Sequence, residues 1–142
     1  MIAVDTNILL YAHRVESQDH LAAAEAVHGL SEGPDLWGLP VFVIGEFLRV
    51  ATHPGVFQPP STVAQAMDAI KSLLDSPMTR ILAPGDGYWR LFAESLVDSG
   101  VRGNLVFDAQ IVAVCREHGV DTILSQDRDF RRFSSIRVQR LA

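Results

Sequence analysis

Four acidic side chains stand far apart along the chain, each beside apolar sequence: Asp5, Glu46, Asp108 and Asp127. Asp5 follows Ile2-Ala3-Val4. Glu46 interrupts Val41-Phe42-Val43-Ile44 and Phe47-Leu48. Asp108 follows Leu105-Val106-Phe107 and precedes Ala109-Gln110-Ile111-Val112-Ala113-Val114, and Asp127 comes three residues after Ile123-Leu124. A carboxylate beside apolar surface is costly unless it is paired or bound to a metal. If these four converge, their repulsion calls for a cation, and hard oxygen donors suit Mg²⁺ or Mn²⁺. The chemistry such a cluster supports is metal-assisted phosphoryl transfer.

Each acid also has a plainer explanation. Asp5 and Asp108 could be helix N-caps, Asp127 could close an Asx turn, and Glu46 could pair with Arg49 at i,i+3. Four such coincidences are a poorer account than one shared site. Other site types lack their motifs. There is no phosphate-cradling G-x-x-x-x-G-K-[ST] or G-x-G-x-x-G loop, and no serine sits in a G-x-S-x-G turn. One cysteine and five scattered histidines offer no zinc spacing. His13 reads as a surface residue, and His53 as a helix C-terminal residue favoured by the macrodipole.

The elements that must position the acids follow from apolar spacing and from Gly and Pro punctuation. Strands are expected at Ile2–Val4, Leu36–Leu39, Arg80–Ala83, Thr122–Leu124 and Ile136–Val138. A short helix is expected from Ile8 to about His13, capped by Asp5, Thr6 or Asn7. Longer helices are expected over Asp19–Leu30, from Pro40 to about His53, and from an N-cap at Ser61 to Leu74 or Asp75. Two more run from a cap at Asp86 to Gly100 and from Asp108 to His118, and Asp127–Phe133 forms a turn or short helix. Strands alternating with helices imply an α/β sandwich with a mainly parallel sheet. Such sheets bind ligands at the carboxyl ends of their strands. Asp5 and Asp127 both follow strands.

At 142 residues with 48% hydrophobic and 20% charged content, the chain suits one globular domain with a real core. No apolar run approaches a membrane span. No basic stretch precedes the first apolar run, so no secretory signal is expected. The lone Cys115 excludes an internal disulfide and is compatible with the cytoplasm. A net charge of −5 argues mildly against nucleic-acid binding. A bound metal would offset part of it, and Arg131, Arg132, Arg137 and Arg140 make the C-terminal end locally basic.

Four segments in order resemble the PIN domain: Met1-Ile2-Ala3-Val4-Asp5-Thr6-Asn7, Glu46-Phe47-Leu48-Arg49-Val50, Asp108-Ala109-Gln110-Ile111 and Ser125-Gln126-Asp127-Arg128-Asp129-Phe130. More narrowly, the chain is similar to the VapC ribonuclease toxins of toxin–antitoxin pairs. Tyr11-Ala12-His13-Arg14, Thr52-His53-Pro54-Gly55-Val56-Phe57 and Val101-Arg102-Gly103-Asn104-Leu105-Val106 resemble a mycobacterial-type subgroup. The resemblance spans residues 1–142 and implies a single three-layer α/β/α PIN domain. It implies an endoribonuclease using Mg²⁺ or Mn²⁺ and leaving 5′-phosphate and 3′-hydroxyl ends.

Asp5 and Asp108 match the family's principal metal ligands, and Glu46 and Asp127 its remaining acids. Asn7 matches a residue that orients the first Asp. Ser125 stands where the family often has Thr. Asp129 either shares the fourth acidic role or supports the turn. Arg128, Arg131 and Arg132 are candidates for the RNA backbone, although ion pairs or antitoxin contacts explain them equally well. A cognate antitoxin and a homodimer are implied as partners, with the Asp19–Leu30 and Ser61–Leu74 helices offering an apolar groove. The rival expectations are a non-catalytic PIN-like module that binds RNA or protein, and a metal-dependent phosphatase of another α/β fold.

Overall fold

The computed structural model describes all 142 residues. It contains β1 (Ile2–Val4), α1 (Thr6–His13), α2 (His20–Glu32), β2 (Trp37–Pro40), α3 (Val41–Ala51) and α4 (Val63–Leu74). These are followed by β3 (Thr79–Leu82), α5 (Tyr88–Ser99), α6 (Leu105–Glu117), β4 (Thr122–Leu124), a 3-10 turn (Arg128–Arg132) and β5 (Arg137–Gln139). The five strands form one sheet in the order β3-β2-β1-β4-β5, and every pairing is parallel.

Parallel strands need crossovers, and right-handed crossovers fix which face each helix covers. The chain moves from β1 to β2 to β3 in one direction, which places α1–α4 together, and α1 packs on α2 and α3. It then reverses across β1 to reach β4 and β5, which sends α5 and α6 to the other face, packed on each other. The result is a three-layer α/β/α sandwich. Its topological switch point lies between β1 and β4, where Ala3 pairs with Ile123 and Val4 with Leu124. Asp5 and Ser125 are the residues next in line after those two strands, at the crevice where such sheets bind ligands.

The central strands are buried on both faces, hence their near-continuous apolar runs. Ala3, Val4, Trp37, Leu39 and Ile123 are completely buried and belong to a 25-residue core cluster with Val43, Phe47, Val112 and Val114. Each large apolar side chain so buried stabilises the fold by roughly 1.5–3 kcal/mol. Gly38 in β2 is required by packing, because a Cβ there would stand 2.6 Å from Leu82 Cδ1. Gly100 ends α5 in the left-handed region, φ 64°, where glycine has no steric penalty. No helix is long and apolar enough to cross a membrane.

Several boundaries differ from the sequence expectations for identifiable reasons. Pro40 ends β2 and caps α3 rather than lying in its first turn, and α3 stops at Ala51. His53 therefore lies beyond the helix, where its Nδ1 accepts a hydrogen bond from the Gly55 N–H at 2.8 Å. Thr62, not Ser61, caps α4: it forms a reciprocal capping box with Gln65. Asp86 makes no cap at α5; the Glu117 carboxylate accepts from the Gly85 and Gly87 N–H groups at 2.7 and 2.8 Å instead. α6 begins at Leu105, which puts Asp108 inside its first turn rather than at its cap. β3 and β5 are each displaced by one residue, β5 because Arg137 N–H bonds the Asp121 carbonyl at 2.7 Å while Ile136 turns into the core.

Candidate active site

Asp5 leaves β1 as its main chain bonds across to Leu124 on β4, and it caps α1. Its carboxylate is buried and fully engaged. One oxygen accepts from the Thr6 N–H at 2.7 Å; the other accepts from Ser125 Oγ at 2.6 Å and Asn7 Nδ2 at 3.0 Å. Even so, the carboxyl is pushed up to about 6, mainly by burial, with the Glu46 and Asp127 charges adding to it and the Ser125 and Thr6 bonds opposing it. Asp5 is thus both a helix cap and a buried acid among other acids.

Ser125 ties the two central strand ends together. It is fully buried, donates to Asp5, and accepts from the Asp127 N–H at 3.0 Å and from Asn7 Nδ2 at 3.2 Å. Asn7 completes the arrangement by accepting from the Gln126 N–H at 3.2 Å. Sequence spacing did not single out Gln126. Its Oε1 accepts from the Leu141 N–H and its carbonyl from Arg140 Nη1, both at 3.0 Å, so it anchors the C-terminal segment to the site loop.

Asp108 differs from Asp5. Half-buried in the first turn of α6, it receives no protein hydrogen bond. Its carboxyl is pushed up to about 7, by burial first and then by the charges of Asp5, Asp127, Asp129 and Glu46. Carboxylate oxygens of Asp108, Asp127 and Asp129 all lie within 4.8 Å of one another. Asp5 and Glu46 are outside that trio, yet their charges act on Asp108.

Asp127 makes the expected Asx-type contact, its Oδ1 accepting from the Asp129 N–H at 2.9 Å. The Asp127 side chain thus holds the turn while its carboxylate also lies in the cluster, and the Asp129 carboxylate lies there with it. The signal was in the sequence, as two acids at i,i+2 around an Arg. Glu46, half-buried on α3, forms no ion pair with Arg49 and accepts no protein hydrogen bond, so the plain explanation for it fails. Arg128, Arg131 and Arg132 are exposed on the 3-10 turn. Only Arg132 approaches an acid, with Nε 3.8 Å from Asp129 Oδ1.

His13 is half-buried rather than superficial. Its Nε2 lies 2.8 Å from Ser61 Oγ and its ring meets Phe47 edge-on at 5.4 Å. Burial and then the Arg14 charge hold it below the usual imidazole range, against Glu16. Cys115 is buried, its thiol pushed up to about 12 by burial and by Asp5, which leaves it an inert packing residue.

The donor set is therefore all oxygen, and the one cation paired with the Asp108–Asp127–Asp129 trio is Arg132, 3.8 Å from Asp129 Oδ1. Such a set fits a hard divalent cation. A model of the PIN domain matches residues 2–136. The chain belongs to the PIN domain family. Within that family it is 35% identical to ribonuclease VapC43 of Mycobacterium tuberculosis over 137 residues, 96% of this chain and 92% of the relative. It is 36% identical to ribonuclease VapC48 of the same organism over 135 residues, 95% and 93% of the two chains. Among solved structures, the fold of this PIN domain is similar to that of VapBC2 from Rickettsia felis bound to a promoter DNA fragment. That match has a TM-score of 0.71 at 16% identity and covers 100% of both chains. It is also similar to VapC20 of M. tuberculosis, described as a sarcin-ricin loop cleaving toxin, with a TM-score of 0.68 at 22% identity, covering 96% and 99%.

Proposed function

We propose that this PIN domain is the ribonuclease toxin of a toxin–antitoxin pair, a cytoplasmic enzyme that hydrolyses RNA phosphodiester bonds with Mg²⁺ or Mn²⁺ at its acidic cluster. The observation that carries this is Asp108: an unpartnered carboxylate, pushed up to about 7, packed against two other carboxylates at the switch point of the sheet. A protein tolerates such uncompensated charge where a cation completes it.

Asp5 and Asp108 would hold the ion, with Asp127 and Asp129 beside Asp108. When bound, a divalent cation supplies Lewis acidity toward a phosphoryl oxygen and lowers the pKa of water. The remaining work falls to the chain. Ser125 and Asn7 keep the Asp5 carboxylate in one orientation. Glu46, with no protein partner, is free to take the proton of an attacking water. Arg128 and Arg131, unpaired and exposed, meet flanking phosphates. Residues 1–142 form one domain in this reading, which the 25-residue core cluster supports.

An antitoxin is the natural partner of such an enzyme, and solved relatives such as VapBC-1 of nontypeable Haemophilus influenzae carry a paired name. A cleft of about 710 Å³ between α2 and α4, lined by Ala24, Val27, Ala69, Ile70 and Leu73, offers an apolar seat for an amphipathic helix. A homodimer is the expected oligomer. The test is the product chemistry on a mixed RNA pool. Cleavage supported by Mg²⁺ or Mn²⁺, stopped by EDTA and leaving 5′-phosphate and 3′-hydroxyl ends is expected. RNA binding without any cleavage would establish the non-catalytic module instead.

A further inference from the structure

A smaller cleft, of about 260 Å³, opens beside the acids between α3 and α6, and Glu46 lines it together with Phe42, Gly45, Arg49, Phe107 and Gln110. Scattered exposed apolar residues on a surface are ordinary. Phe107 is not scattered. It immediately precedes Asp108 on the first turn of α6, is 59% exposed, and faces a concavity that it shares with a site acid. Phe42 lies one helical turn before Glu46 on α3. Its ring is held by Tyr88 at 5.9 Å, and Tyr88 in turn stacks on Phe92 at 5.6 Å, so this wall is braced from behind. Gly45 adds no side chain, and a Cβ there would meet nothing within 4 Å. Arg49, exposed and without an ion pair, stands at the rim.

Two aromatic walls, a polar edge and a free guanidinium are the parts that hold an unstacked base and its phosphate. We propose that this cleft binds one nucleobase of single-stranded RNA, that of a nucleotide flanking the cleaved phosphate. Phe107 stacks on the base, Gln110 meets its edge, and Arg49 neutralises a phosphate that the carboxylates would otherwise repel. The inference rests on the nuclease reading of the adjacent acids and adds the cleft, and the residues of α3 and α6, that would seat one base of their RNA.

The test uses the purified protein with Mn²⁺ and a short single-stranded RNA spanning a mapped cut, intact or made abasic at either flanking nucleotide. Base stacking on an aromatic side chain corresponds to about 5- to 150-fold in kcat/KM. The abasic change at one flanking position should cost the wild type a factor in that range. Phe107→Ala should lose as much on intact RNA and nothing further on the abasic RNA, while Phe107→Tyr retains both rate and discrimination. Mn²⁺ affinity should be the same in all three. Phe107→Ala cutting intact RNA at the wild-type rate, or still discriminating against the abasic RNA, would overturn the cleft assignment while leaving the nuclease intact. A wild type that cuts no RNA would remove the nuclease reading and this inference with it. Sedimentation gives the last outcome: dissociation of a wild-type dimer by Phe107→Ala would make the cleft a contact between copies and overturn its assignment to RNA.

Discussion

Without metal, this protein should become less stable as pH rises from 5 to 8, the reverse of the usual behaviour of acids held in ion pairs. Asp5 and Asp108 cause this. A carboxyl with a folded-state pKa above its unfolded value keeps its proton in the folded chain after the unfolded chain has lost it. The resulting cost is absent below the unfolded value and complete above the folded one. For Asp5, a rise from 3.8 to about 6 is a total of about 3 kcal/mol. Part of that falls below pH 5, which leaves about 1.4 kcal/mol between pH 5 and pH 8. Asp108 acts with the same sign and carries the loss on through about pH 7, reduced by its partial exposure to water. His13 opposes this mainly at the acid end: its lowered pKa means stability is lost as pH falls through the imidazole range, and at most about 0.4 kcal/mol of that reaches the interval from 6.5 to 8. The acids Glu16, Glu94 and Asp121, held low by their own partners, titrate below the window. The assay is urea unfolding in EDTA at pH 5, 6.5 and 8. Wild type should lose stability from 6.5 to 8, Asp108→Asn should be nearly flat there, and Mn²⁺ at 100 times its Kd should restore about 2.7 kcal/mol. Wild-type stability that is level or rising from 6.5 to 8, or an equal loss in Asp108→Asn, would refute the reasoning.

Ser125→Ala removes the 2.6 Å donor to Asp5 and leaves the Asp127 N–H without its acceptor. It should cost about 1–3 kcal/mol and move the pH midpoint of metal-dependent cleavage upward, read from a pH–rate profile. Thr62→Ala breaks the capping box of α4 far from the acids. A loss of about 1 kcal/mol in thermal unfolding with unchanged cleavage is expected. Phe47→Ala, in the core beneath His13, should cost about 3–5 kcal/mol by the same assay.

The α/β/α order was legible because β1, β2 and β3 end at or just before Asp5, Pro40 and Pro84 and β4 holds the apolar Ile123-Leu124, with helical segments between them; β5, Arg137-Val138-Gln139, carries the weakest pattern. Asp5 was legible for the same reason: it is the first charge after a buried strand. Boundaries slipped where the deciding partner is distant in sequence. Ser61 looked like a cap, but His13, 48 residues earlier, draws its hydroxyl inward and leaves capping to Thr62. Asp86 looked like a cap, but the cap position falls at Gly87, and Glu117 of α6 holds the preceding turn through the Gly85 and Gly87 N–H groups. Asp108 looked like the start of α6, since Leu105-Val106-Phe107 reads equally well as a strand. Asp129 was legible only as an ambiguity, because nothing local says that both carboxylates of Asp127-Arg128-Asp129 come together with Asp108. The Phe42–Phe107 cleft was invisible because its walls come from helices joined only through the tertiary fold.

The most direct test of the central claim is RNA cleavage by wild type and Asp108→Asn side by side, both checked for native circular dichroism, in Mg²⁺, Mn²⁺ and EDTA. The account predicts metal-dependent cutting by the wild type and its loss in the variant, although the variant folds and is no less stable. Equal cutting by a folded Asp108→Asn, or wild-type cutting undiminished by EDTA, would contradict it.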